Sequence, residues 1–249
     1  MSSQVTLQQD GRILRVTLNR PSDNAVADAM ALALSQALHN AHEQSDVVLI
    51  TSVGPDFCTG RVRNQDAGPP SPEAYERRAE YDSIFNCYKA IKNCLVPVVI
   101  AAQGRVMGFG AAICAIADVS FASDQATFNI PEIEHQVMPT MVMSAIYDRI
   151  AKNAILWMAY TAQFIPADEA QRLGFVSRVV KDEQLHSEVE AFLKVLLSRP
   201  RPAILGLKEY LHHAPRMDEQ GAIDYARSIH SMVNTSAAMK KKSDRKSVV

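Results

Sequence analysis

The stretch that most constrains the chain is VPVVIAAQGRVMGFGAAICAIAD, from Val96 to Asp118. Val96–Ala102 is a short, almost wholly apolar and β-branched run, which predicts a strand buried on both faces. It runs into Gly104. Gly108-Phe109-Gly110 then precedes a helix at about 110–117, whose residues Ala111 to Ala117 are small and apolar. Glycines between a strand and a helix let the backbone turn tightly and let a ligand approach the first helical amides. Those amides carry free N–H groups at the positive end of the helix dipole. The arrangement suits an oxyanion, and it equally suits plain packing. It is no phosphate loop, because the Gly-Lys-Ser/Thr ending is missing.

Around this segment the patterns alternate. Val5, Leu7 and the Asp10-Gly11 turn, followed by Leu14, Val16 and Leu18, read as a β-hairpin with one buried face. Met30, Leu34, Ala37, Leu38 and Ala41 recur at helical spacing, and Val47–Thr51 reads as a buried strand. Further helical patterns lie at about 72–93 and 141–160. Strands alternating with helices predict an α/β layer architecture. Asn64 to Pro72 is an irregular Gly/Pro loop, a candidate gate, and Ser71-Pro72-Glu73 looks like a helix start. A second glycine turn, Asp56-Phe57-Cys58-Thr59-Gly60-Arg61, offers another backbone donor. The last 50 residues read as helices packed on the main body or on another subunit. They end in KKKSDRKSVV, a solvated basic tail.

Composition removes several classes. The 249 residues allow one large domain, or one with an appendage, and 47% apolar content excludes a disordered chain. A net charge of -1 supplies no field for nucleic acid or an anionic membrane. No apolar run approaches the roughly 20 residues of a spanning helix, and no secretory signal is visible at the N-terminus. Cys58, Cys87, Cys94 and Cys114 show neither disulfide-scaffold nor zinc spacing, so no metal is expected and a reducing, cytoplasmic setting is the simplest inference.

Several segments together resemble the crotonase (enoyl-CoA hydratase/isomerase) superfamily. They are Leu18-Asn19-Arg20-Pro21 with Asn24-Ala25, Phe57-Cys58-Thr59-Gly60, Pro97 through Gly110, Ala117-Asp118, Phe128 with Pro131-Glu132, and Ala170-x-x-Leu173-Gly174-x-Val176. The resemblance implies a spiral of β-β-α units forming two sheets, with residues 1–194 as an acyl-CoA-binding core. It implies that residues 195–249 form a helical region serving a trimer or a hexamer of paired trimers.

It also implies a chemistry. The backbone amides of Arg61 and Phe109 would hold a thioester oxygen, and Glu132 would be the catalytic acid/base. The family usually carries a small residue at the first of these donor positions and glycine at the second. Hydratases place a second glutamate where this chain has Ala112. One carboxylate suffices to move an α-proton to the γ-carbon, so double-bond isomerisation matches better than hydration. Enoyl-CoA hydration is the alternative, and a catalytically idle CoA-binding or scaffold protein is the alternative of another class.

Candidate substrate- and CoA-binding positions are Cys58, Gly60, Arg63, Gly108, Gly110 and His135. The side chain of Arg61 is a further candidate, for a phosphate or an acyl carboxylate. His135, Glu134 and Asp148 are the polar residues that could serve the family's other chemistries, although Glu134 reads as solvated; His39 and His42 read as an exposed pair, and Asp118 as a structural cap. No cofactor is implied beyond the CoA of the substrate.

Overall fold

The computed structural model describes residues 4–62 and 71–240. Strands β1 (Val5–Asp10) and β2 (Ile13–Leu18) form an antiparallel hairpin whose turn contains Gly11, at φ +55°. Strands β3 (Val47–Ser52), β4 (Val98–Ala102), β6 (Val119–Ser123) and β9 (Arg178–Val180) extend it in parallel, in the order β1-β2-β3-β4-β6-β9. A smaller sheet has the order β5 (Arg105–Met107), β7 (Thr127–Asn129), β8 (Ile165–Pro166).

The link between the sheets is the expected β-β-α unit. β4 lies in the large sheet, β5 in the small one, and α3 (Phe109–Ile116) follows. β6 and β7 repeat the pattern, and after a 3₁₀ turn at Glu132–His135 they lead into α4 (Thr140–Ile146).

All five residues of β4 are buried, because the large sheet is covered on both faces. Val98, Ile100 and Ala102 join Val16, Leu18, Val48 and Ile50 under α1 (Asp28–Asn40) and α2 (Asp82–Asn93). Val99 and Ala101 point the other way, to Phe121 and to Leu185, Val189 and Leu193 of α7 (Leu185–Leu197). The period of two thus divides one strand between two cores.

Several expectations need correction. Leu7 lies on the edge strand and is 51% exposed, so β1 buries only Val5. The helix expected at 141–160 is two helices, α4 and α5 (Lys152–Thr161). Lys92 of α2 pairs with Asp148 in the intervening turn, while Ile150 turns into the core, so tertiary contacts override the helical period. The pattern at 72–93 begins as a 3₁₀ segment (Glu76–Tyr81) and becomes helical at Asp82. The helix start expected at Ser71-Pro72-Glu73 is instead a turn ahead of this segment, in which the Ser71 hydroxyl accepts the Glu73 N–H at 3.1 Å. The loop expected at 64–72 lies largely outside the described residues, as does Arg63.

Asp118 is structural, although it caps a strand and not a helix. Its carboxylate accepts the Val98 N–H at 2.7 Å and pairs with Lys208 of α8 (Arg201–His213) at 2.5 Å. Lys208 also donates to the Val96 carbonyl at 2.9 Å. α8 packs on α9 (Glu219–Thr235) where Gly206 faces Val233, and α10 (Ala237–Lys240) follows. Leu207, Leu211 and Met232 of this pair are at least 60% exposed. A cavity of about 680 Å³ between α8 and the core is lined by Pro97, Ile116, Asp118, Tyr147 and Lys208. It lies at the C-terminal end of α3, away from the glycines that begin that helix.

Candidate active site

Two backbone segments meet at the N-terminus of α3. The first runs from Asp56 to Val62 and is held by Asn24, a fully buried residue at φ +49°. Asn24 Nδ2 donates to the carbonyls of Val53 (2.6 Å) and Asp56 (2.8 Å), and its Oδ1 accepts the Arg20 N–H. This explains why the Asn-Arg-Pro segment and Asn24 accompany the second glycine turn. Cys58 bridges in parallel to Val106 of β5, and Met107 N–H donates to the Cys58 carbonyl at 2.8 Å. The Arg105 guanidinium beside Asp56 holds that carboxyl below its ordinary pKa and secures the turn.

The second segment is Gly108 to Ala112. Gly108 is at φ +49°, favourable only for glycine, and its N–H donates to the Asn129 carbonyl at 3.0 Å. A Cβ on Gly108 would stand 2.6 Å from Glu132 Oε1 and 3.6 Å from Gly60 Cα. A Cβ on Gly110 would stand 2.7 Å from the Cys58 carbonyl oxygen. Gly60, Gly108 and Glu132, chosen from separate parts of the sequence, are therefore neighbours, and Gly110 fastens the helix start to the Cys58 strand.

Two amides, each next in the chain to a glycine of this cluster, are unspent. Phe109 is the first helical residue, so its N–H has no intrahelical acceptor. Arg61 bridges to Val26 through its neighbours: Val26 N–H bonds to the Gly60 carbonyl, and Val62 N–H to the Val26 carbonyl. In such a parallel bridge the amide of the middle residue points to the opposite side. Neither the Arg61 nor the Phe109 N–H makes a hydrogen bond among the described residues.

Glu132 opens a 3₁₀ turn after β7. Its Oε2 is buried with no hydrogen-bond partner. Burial pushes the carboxyl pKa above its ordinary value, and nearby His135 only partly offsets that. A buried, unpartnered carboxylate costs stability, and such groups concentrate where chemistry requires them. His135 and Glu134 are exposed.

The remaining candidates divide clearly. Cys58 is fully buried, donates its thiol hydrogen to the Gly60 carbonyl, and has its pKa pushed up to about 12 by burial. It is part of the frame, with no thiolate to offer. The Arg61 guanidinium is held inside the chain. It pairs with Asp28 at 3.1 Å, donates to the Glu80 carbonyl and lies over the Tyr81 ring. The expectation that it reaches for CoA or an acyl carboxylate must contend with these ties. Ala112 is fully buried. His42 bonds to the His39 carbonyl, and both histidines are exposed.

Sequence reasoning missed Tyr88. Its ring stacks on Phe109, with centroids 5.3 Å apart and planes 22° from parallel. In the sequence Tyr88 is one apolar position among Ile84, Cys87 and Ile91 on a helical face, a pattern that signals only core.

The chain is similar to several known proteins. The model of the family described as enoyl-CoA hydratase/isomerase matches residues 8–247. Carnitinyl-CoA dehydratase of Escherichia coli K12 is 28% identical over 241 residues, which cover 92% of this chain and 87% of that protein. The structure of an enoyl-CoA hydratase from Mycobacterium smegmatis superposes with a TM-score of 0.89 at 26% identity, covering 96% of this chain and 93% of the other. A putative enoyl-CoA hydratase from Thermobifida fusca, solved in complex with CoA, gives 0.81 at 25% identity, covering 92% of each chain. Among the described residues, no helix is long and apolar enough to cross a membrane.

Proposed function

The chain belongs to the enoyl-CoA hydratase/isomerase family, and from that premise we propose that it is an acyl-CoA-processing enzyme that moves a double bond within the acyl group. The observation that carries this reading is the Glu132 carboxylate, whose Oε1 abuts Gly108 and whose buried Oε2 has no partner, together with the unspent amides of Arg61 and Phe109.

A 3-enoyl thioester would place its carbonyl oxygen on the two amides. Glu132 takes the α-proton, and the electron pair spreads over a dienolate whose oxygen the amides stabilise. Such donors are each worth roughly 10²–10³ in rate. The protonated Glu132 then returns the proton at the γ-carbon, which gives the 2-enoyl thioester. Nothing is oxidised or reduced, and the carboxylate is regenerated. A raised pKa suits a group that must both accept and donate a proton near neutrality. Hydration would additionally require a positioned water, and buried Ala112 offers no second carboxylate to hold one.

The experiment is incubation with 3-enoyl-, 2-enoyl- and saturated acyl-CoA thioesters in D₂O, followed by NMR, with Glu132→Gln alongside. Glu132-dependent interconversion of 3-enoyl and 2-enoyl thioesters supports isomerisation. A 3-hydroxyacyl product assigns hydration instead. Thioester binding without any exchange assigns an idle CoA-binding protein. The same reading gives the exposed face of α8 and α9 a partner, other copies of this chain in a trimer or hexamer, supported by the exposed Leu207, Leu211 and Met232.

A further inference from the structure

Phe109 has two roles at one residue. Its amide is free at the start of α3, and its side chain is 2% exposed, stacked on Tyr88. A glycine there would leave the ring's volume open beside the amide. Here that volume is filled, and the ring stacks on a second aromatic, on α2. An acyl chain whose carbonyl sat on the Phe109 amide would begin beside these two rings.

The ring pair is not wholly apolar. Tyr88 is 4% exposed, and its hydroxyl makes no hydrogen bond among the described residues. Buried tyrosine hydroxyls ordinarily find a partner. Burial, together with the charges of neighbours that include Glu132, raises the phenol pKa well above its ordinary value, so the group is a hydrogen-bond donor at any working pH. A donor this enclosed, with no acceptor among the described residues, is free to meet an acceptor on a ligand.

We propose that the Phe109–Tyr88 ring pair closes the acyl site to all but short chains and that Tyr88 Oη donates a hydrogen bond to an oxygen carried on the acyl group. The substrate class is then a short, oxygen-bearing acyl-CoA, with a keto, hydroxyl or carboxylate oxygen beyond the thioester. This rests on the oxyanion role of the Phe109 amide proposed above. It assigns Tyr88 a binding role, with no proton transfer.

The test is calorimetric titration of the full-length protein with butyryl-, octanoyl-, acetoacetyl- and 3-hydroxybutyryl-CoA, for wild type, Tyr88→Phe, Phe109→Leu and Phe109→Ala. The wild type is expected to bind one of the oxygen-bearing four-carbon thioesters at least tenfold more tightly than butyryl-CoA, and to bind octanoyl-CoA more weakly than butyryl-CoA. Tyr88→Phe should erase the first preference and leave butyryl-CoA unchanged. Phe109→Ala, and to a lesser degree the milder Phe109→Leu, should admit octanoyl-CoA. Equal binding of butyryl- and octanoyl-CoA by the wild type overturns the closure. Equal loss of all ligands in a folded Tyr88→Phe overturns the hydrogen bond. Failure of every thioester to bind overturns both this inference and the proposed function. Selective binding without Glu132-dependent exchange overturns only the latter.

Discussion

The carboxylate of Glu132 occupies the space where a side chain on Gly108 would begin. A Cβ there would lie 2.6 Å from Glu132 Oε1. The 3₁₀ turn after β7 and the turn before α3 are thus fitted to each other at atomic contact. The glycine is required twice over, by its φ of +49° and by the carboxylate.

Gly108→Ala is therefore expected to displace Glu132 and to strain the turn. The strain costs on the order of 1–3 kcal/mol. The displaced base should lower Glu132-dependent exchange by two orders of magnitude or more, since general acid–base catalysis contributes roughly 10²–10⁴-fold. Exchange rates and thermal denaturation of the variant check both halves. A variant with wild-type exchange would show that Glu132 works from another position.

The arrangement around Gly108 was legible in the sequence in its parts, because each part is a backbone requirement. Glycine at 60, 104, 108 and 110 and asparagine at 24 are needed where the chain turns or closely approaches itself, and such needs restrict residue type sharply. The buried strands Val47–Ser52 and Val98–Ala102 and the buried face of α1 were equally legible. The strands β5, β7, β8 and β9 were not, since two or three residues carry no period. Nor was the break between α4 and α5, which depends on Lys92 from outside the turn and on the burial of Ile150 within it. Tyr88 and the Asp28 tie on Arg61 are tertiary contacts between positions that locally read as core and surface.

The cysteines should be silent in the folded protein. Cys58, Cys87, Cys94 and Cys114 are all buried and free, and burial pushes the Cys58 and Cys87 thiols up to about 12. Thiolate, the reactive form, is then scarce and shielded. A thiol-specific chromogenic reagent is expected to titrate no cysteine at pH 8 under native conditions and four per chain in denaturant. Rapid native labelling of one residue would show that part of the core opens readily.

Lys208 ties α8 to the core through Asp118 and the Val96 carbonyl, and its side chain is only 11% exposed. Removing one member of a partly buried, hydrogen-bonded pair leaves the other uncompensated, at about 2–4 kcal/mol. Lys208→Met should lower Tm by several degrees. Because the tie lies at the end of α3 remote from Gly108, the exchange rate of the folded variant should stay within about twofold of wild type. Loss of exchange in a folded variant would mean that α8 governs the site.

Glu132 couples stability to pH with a definite sign. Burial raises its folded-state pKa above the unfolded value, so the folded chain binds the proton more tightly. The carboxyl therefore disfavours folding once it must ionise, and that penalty develops as pH rises from the unfolded pKa through the folded one. Below the unfolded value the carboxyl is protonated in both states and the penalty vanishes. Glu132→Gln, which keeps the shape and removes the charge, is expected to raise Tm at pH 7, and this advantage should shrink on acidification below the ordinary carboxylate range. Each kcal/mol corresponds to roughly 2–4 °C for a chain of this size. Exchange activity should run the opposite way, falling in the wild type as pH drops through the same raised pKa, because only the ionised carboxylate can take the α-proton. A Gln variant less stable than wild type at pH 7 would show that the carboxylate has a stabilising partner, and a buried base awaiting substrate would then be the wrong description of Glu132.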